Sequence, residues 1–140
     1  MGRILGIDFG TKRTGIATTD PLKIIASGLD TFPSETVLDF LVAYIAEEEV
    51  EGIVVGFPLY PDGNPAQLAP QVEAFVQKLM KQFPQVEVNT WDERYTSEEA
   101  KRIILKSGAR KKQRRDKSLV DKISAALILE DYLKAHIWED

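Results

Sequence analysis

The 140 residues include no cysteine and a single histidine, His136. Without cysteine there is no disulfide framework, no thiolate metal site and no cysteine nucleophile. His136 stands near the C-terminus, far in sequence from the acids considered below, and is assigned no catalytic part. Long hydrophobic runs are missing as well: none approaches the roughly 20 apolar residues of a membrane-spanning helix. The N-terminus has neither the charged start and apolar core of a signal peptide nor the Arg/Ser-rich character of a transit peptide, so a cytoplasmic protein with no membrane partner is expected. No G-x-G-x-x-G follows the first strand-like run, which excludes a regular Rossmann domain. Neither an internal repeat nor a linker divides the chain, and its length suits one domain over residues 1–140.

What is present is the balance of a soluble globular protein, 44% hydrophobic and 29% charged. The formal charge of -4 hides an asymmetry. Residues 109–117, "ARKKQRRDK", hold six of the 18 Lys/Arg and one acid, leaving 12 basic and 21 acidic groups on the rest. An acidic body with one basic segment suggests a localised anion contact rather than a uniform nucleic-acid glove. The plain alternative is a solvated loop.

Arg3–Phe9, Thr14–Thr19 and about Ile24–Phe32 are strand-like, the last two joined by the turn signal Asp20-Pro21. Ser34 is a candidate N-cap for a helix carrying Val37, Leu38, Leu41, Val42 and Ile45 at helical spacing. "IVVGFP" after Gly52 reads as a strand buried on both faces, and "PLYPDGNPAQ" as a loop whose "YPDGN" is a candidate flap. A helical stripe follows at Val72, Phe75, Val76 and Leu79, then a strand over Val86–Trp91. "TSEEAKRIILKSG" has Thr96 and Glu99 in capping-box spacing with Gly108 as a stop, and the last helix spans about Leu119–Ile137. The pattern predicts an α/β fold, a mixed five-stranded sheet of three antiparallel and then parallel strands with helices on both faces.

In such a sheet, ligands gather at the carboxyl ends of the parallel strands. Asp8 ends the first strand, Asp92 and Glu93 end the last, and the two sites meet if those strands are neighbours. Asp121 is expected on the first turn of the final helix, with the small Ser124 and Ala125 leaving clearance beside its carboxylate. Each acid has a dull reading too. Asp8 would serve as a turn former, Glu93 as a surface partner of Arg94, and Asp121 as the far member of a capping box with Ser118. Three carboxylates at one spot repel one another unless a cation compensates them. Oxygen ligands without His or Cys suit one or two Mg²⁺ or Mn²⁺ ions, which in pairs activate water and stabilise the departing oxygen of a phosphodiester.

Four stretches, "GIDFGTKRTGIA", "IVVGFPLYPDG", "DERYTSEEA" and "KSLVDKISAALILEDYL", cover almost the whole chain in order. Together they resemble the YqgF/RuvX family of pre-16S ribosomal RNA nucleases, also described as Holliday-junction-resolvase-like, with the ribonuclease H fold. The resemblance implies that Asp8, Glu93 and Asp121 are the metal-binding and catalytic positions; it is the match to "DER" that selects Glu93 over Asp92. It further implies a hydrolase acting on precursor ribosomal RNA, with a pre-ribosomal particle as a possible partner, or on a four-way DNA junction. The state is a monomer or a homodimer, the latter favoured for a junction resolvase.

Around these acids, Gly10 would allow backbone to approach a phosphate, while Lys12 and Arg13 would neutralise flanking phosphates. Arg94 and the basic residues Arg110, Lys111, Lys112, Arg114 and Arg115 are further nucleic-acid candidates. Gly56, Pro58 and Leu59 end the middle strand on the same edge, and Trp91 and Trp138 read as core rather than base-stacking residues. Two competing functions remain. "DFGT" also resembles the phosphate loop of actin- and Hsp70-like ATPases, which need two such domains, and an RNA-binding module without catalysis would bind RNA independently of Asp8 and metal.

Overall fold

Alternating side-chain direction lets a single strand serve two layers, and β1 (Arg3–Phe9) does so. Leu5 and Ile7 join the larger apolar cluster on one face, while Ile4 joins the smaller cluster on the other. The computed structural model describes residues 2–59, 62–92 and 117–138, with backbone alone at Lys117 and Ser118. After β1 come β2 (Arg13–Thr19), β3 (Ala26–Pro33), α1 (Val37–Glu47), β4 (Val50–Phe57), α2 (Ala69–Gln82), β5 (Glu87–Asp92) and α3 (Lys117–His136). The expected helix within residues 96–108 and the basic segment up to Asp116 lie outside the described residues.

The five strands form one sheet in the order β3-β2-β1-β4-β5. β1–β2 and β2–β3 pair antiparallel; β1–β4 and β4–β5 pair parallel. The mixed sheet is therefore as expected, with one correction: β1 and β5 are not neighbours, because β4 lies between them. On one face, Val37 and Leu41 of α1 and Val72, Phe75, Val76 and Leu79 of α2 bury Leu5, Ile7, Ile53 and Val55. On the other, α3 stands on the sheet through Ala125, Ile128, Leu129 and Leu133, against Ile4, Ala17 and Val54.

α3 sits close because the sheet beneath it is floored with glycine. A Cβ on Gly28 of β3 would come within 2.6 Å of Lys122 Cγ, and one on Gly6 of β1 within 2.7 Å of Leu129 Cβ. Between them, a Cβ on Gly15 of β2 would lie 2.1 Å from the Asp121 carbonyl oxygen. A side chain at Gly6 or Gly15 would lift the helix, whereas one at Gly28 would first displace the Lys122 side chain.

Several local expectations are corrected. Ser34 does not cap α1: the N-cap is Thr36, which makes no side-chain cap bond. Ser34 instead braces the β1–β2 turn, as described below. β3 begins at Ala26, two residues later than the apolar run, because Ile24 and Ile25 are taken into a turn around Asp20. Asp20 Oδ1 accepts the amides of Ile24 (2.7 Å) and Ile25 (2.8 Å), and Lys23 turns the chain with φ 60°. α3 is already helical at Lys117, so Ser118 lies inside it rather than at a capping box, and Asp121 falls on the second turn. Tyr60 and Pro61 of the candidate flap "YPDGN" lie outside the described residues; beside it, Leu59 bridges Pro65, and the Ala66 amide donates to Pro58 O at 2.9 Å.

Candidate active site

Asp8 lies on the α3 face of β1, in phase with Ile4 and Gly6. Its cross-strand partner is Gly15, and Gly15 is covered by the main chain of Asp121. Two acids 113 positions apart (121 minus 8) are thus brought over the same spot of the sheet. On the opposite side of Asp8, one step beyond the Ile7–Val55 pair, β4 presents Gly56. Gly56 is paired in turn with Trp91 of β5. A row Gly15–Asp8–Gly56–Trp91 therefore crosses four strands on the α3 face. Asp8 thus has glycine on both neighbouring strands: Gly15, over which the Asp121 main chain sits, and Gly56, which separates it from Trp91 of β5.

Trp91 packs with the α3-side cluster, and Val88 with the cluster on the other face. Asp92 shares the parity of Val88 and thus belongs to the face away from Asp121. Glu93, Arg94, Arg110, Lys111, Lys112, Arg114 and Arg115 lie outside the described residues.

The turn that carries Gly10, Lys12 and Arg13 is held by Ser34. Its amide donates to Lys12 O at 2.9 Å and its hydroxyl donates to Gly10 O at 2.5 Å. That single hydroxyl proton is then committed, so Thr14 Oγ1 is the donor in the 2.8 Å bond between the two hydroxyls. Gly10 is required by the tightness of this turn, since a Cβ there would lie 2.5 Å from Arg13 O. Lys12 is exposed at its tip.

Arg13 begins β2 in phase with Gly15 and so lies on the α3 face. Its Nε donates to Asp121 Oδ2 at 3.0 Å, the bond linking the turn to α3. The two side chains are 41% and 23% exposed, a half-solvated pair of the kind worth about 1 kcal/mol or less. Sequence reasoning placed Arg13 beside phosphate; it missed this partner, 108 residues away, for which no local pattern exists. The small residues after Asp121 also do something other than leave clearance. Ala125 is packed against Gly6, and Ser124 is 1% exposed with no hydrogen-bond partner for its hydroxyl among the described residues.

Trp91 meets Tyr132 edge-on, with ring centroids 5.8 Å apart, and His136 at 5.4 Å. Trp138 donates its indole N–H to Lys23 O at 2.7 Å. Both tryptophans are packing residues here. Among the described residues no three acidic or histidine side chains form a metal cluster. The described donors are nevertheless of the right type: Asp8 and Asp121 are both carboxylates, placed through Gly15 near the carboxyl edge of the parallel strands, and hard oxygen donors of this kind would suit Mg²⁺ or Mn²⁺.

A sequence model of the family RuvX, described as "Holliday junction resolvase", matches residues 2–135. A Flavobacterium johnsoniae protein named "Putative pre-16S rRNA nuclease" is 48% identical over 135 residues, covering 96% of this chain and 98% of that protein. A Porphyromonas gingivalis protein of the same name is 49% identical over 133 residues, covering 95% and 96%. Among solved structures, T. thermophilus RuvC in complex with Holliday junction substrate superposes with a TM-score of 0.60 at 15% identity, covering 99% of each chain. That likeness places the fold in the ribonuclease H-like class. The names of both the family and the relatives describe cleavage of nucleic-acid phosphodiesters, and the chain belongs to the RuvX family of nucleases.

Proposed function

We propose that the chain, acting as one domain over residues 1–140, hydrolyses phosphodiester bonds in precursor 16S ribosomal RNA with the help of Mg²⁺ or Mn²⁺. The observation that carries this reading is the placement of the Asp121 main chain over Gly15, the cross-strand partner of Asp8, at the carboxyl edge of the parallel strands. Asp8 and Asp121 hold the cation, and Glu93 completes the set; Asp92 belongs to the opposite face, which favours its neighbour for this role. A bound divalent cation supplies activation of the attacking water and neutralisation of the departing oxygen. The rigid β1 fixes Asp8, α3 fixes Asp121, and the Ser34-braced turn presents Gly10, Lys12 and Arg13 to the flanking phosphates. Arg94 and the segment Arg110, Lys111, Lys112, Arg114 and Arg115 extend this contact along the backbone in a largely sequence-blind way.

The test is to incubate the protein with Mn²⁺ or Mg²⁺ and either a precursor 16S RNA fragment or a four-way DNA junction, beside Asp8→Asn. RNA cleavage that disappears in Asp8→Asn and in chelator is expected. Cleavage of the junction alone would move the substrate to DNA, in keeping with the family's description. Equal RNA binding by both proteins with no cleavage would leave a binding module.

A further inference from the structure

Arg13 stands where two demands meet. It compensates Asp121 through Nε, and it lies at the edge where, on the reading above, nucleic acid arrives. We propose that Arg13 is the exchangeable counter-ion of the acidic centre, neutralising Asp121 until a divalent cation takes that carboxylate and then turning to a substrate phosphate. This rests on the proposed metal-dependent nuclease site and adds to it a coupling between cation and nucleic-acid binding.

The geometry suits an exchange confined to the side chain. The Arg13 backbone is pinned on both sides, by its pairing with Pro33 in β3 and by the Ser34 bonds to the preceding turn. Its side chain is 41% exposed, so the guanidinium can leave Asp121 without abandoning a buried position. The contact is side-on, from Nε to one carboxylate oxygen, rather than the two-bond fork that arginine makes in its strongest pairs. A divalent charge arriving at Asp121 repels the guanidinium at close range. A phosphate offers the planar guanidinium two oxygens for the forked pairing it does not make with Asp121.

Two consequences follow by linkage. Arg13 competes with the cation in the free protein, and nucleic acid relieves that competition by drawing Arg13 away. A residue that merely braced Asp121 would have the opposite effect on the free protein, because its loss would loosen a ligand.

The measurement is Mn²⁺ affinity of the full chain, by the electron paramagnetic resonance signal of free Mn²⁺, with and without a short RNA duplex that is bound but not cut. Arg13→Gln is expected to bind Mn²⁺ about fivefold more tightly than wild type without RNA, and to gain correspondingly less when RNA is added. Arg13→Lys retains the positive charge and stays near wild type, and thermal unfolding of each variant checks that it is folded. Unchanged or weaker Mn²⁺ binding in Arg13→Gln overturns the proposal, as does an equal gain in Arg13→Lys. Failure of the underlying site has a different signature: wild type then binds no Mn²⁺, or Asp121→Asn binds it as well as wild type does.

Discussion

Gly15 is the residue on which the site turns, although it carries no functional group. A methyl group there would stand 2.1 Å from the Asp121 carbonyl oxygen, closer than any contact tolerates. Because that neighbour is helix backbone, it cannot rotate aside, and α3 itself must move. Gly15→Ala should therefore cost about 1–3 kcal/mol of stability, read from urea unfolding. It should also lower cleavage at temperatures where the variant is still folded, since Asp121 retreats from Asp8. Sequence reasoning singled out Asp8 and Asp121 because a carboxylate ending a buried strand and another on the helix of the last matched stretch are local signs. It could not find Gly15, whose importance comes from a helix more than 100 residues later, nor the Arg13–Asp121 bond, for the same reason. Strand alternation could not choose between Asp92 and Glu93; the facing of Val88 and Trp91 adds only that Asp92 belongs to the face away from Asp121.

Among the elements, the two β-turns behave differently. In the β2–β3 turn the Asp20 carboxyl is held below its ordinary value by amide donors, the Ile25 N–H foremost. A group with a lowered folded value stabilises fully above its unfolded value of 3.8, and the effect fades as the pH falls through the folded one. Asp20→Ala should unfold at a lower temperature than wild type at pH 7, and the gap should close in melts carried below pH 3.8. The same turn is tied to β4 by Lys23, whose hydrogen bond likewise holds the Glu51 carboxyl low. The β1–β2 turn depends on Ser34, so Ser34→Ala removes two hydroxyl bonds and should cost about 0.5–1.5 kcal/mol for each bond not replaced by water. Its effect on cleavage should exceed its effect on the melting point, because the loosened turn carries Gly10, Lys12 and Arg13. "FPS" was legible as a break before a helix. That the serine faces backwards, to a turn 24 residues earlier, was not.

At the level of the whole molecule, three strands in tight succession followed by strand–helix alternation were enough to foresee the mixed sheet. The strand order was harder: placing β4 between β1 and β5 depends on which face each crossover covers, and no residue pattern states that. The charge distribution leads to a prediction at this scale. An acidic body with six of its 18 cations gathered in residues 109–117 should bind RNA with a strong salt dependence. Replacing Arg110, Lys111, Lys112, Arg114 and Arg115 by glutamine should flatten the log–log slope by about 0.7–0.9 for every phosphate left without its cation. The glycine floor under α3 has a reach beyond catalysis. Replacing glycine is an ordinary route to a hardier protein, since it lowers the entropy of the unfolded chain. Here Gly6 and Gly15 close that route, for each one filled pushes the helix that carries Asp121 away from the sheet. A heat-adapted version of this chain has to gain its robustness on the α1 and α2 side, where the packing can be rebuilt while the acids stay where they are.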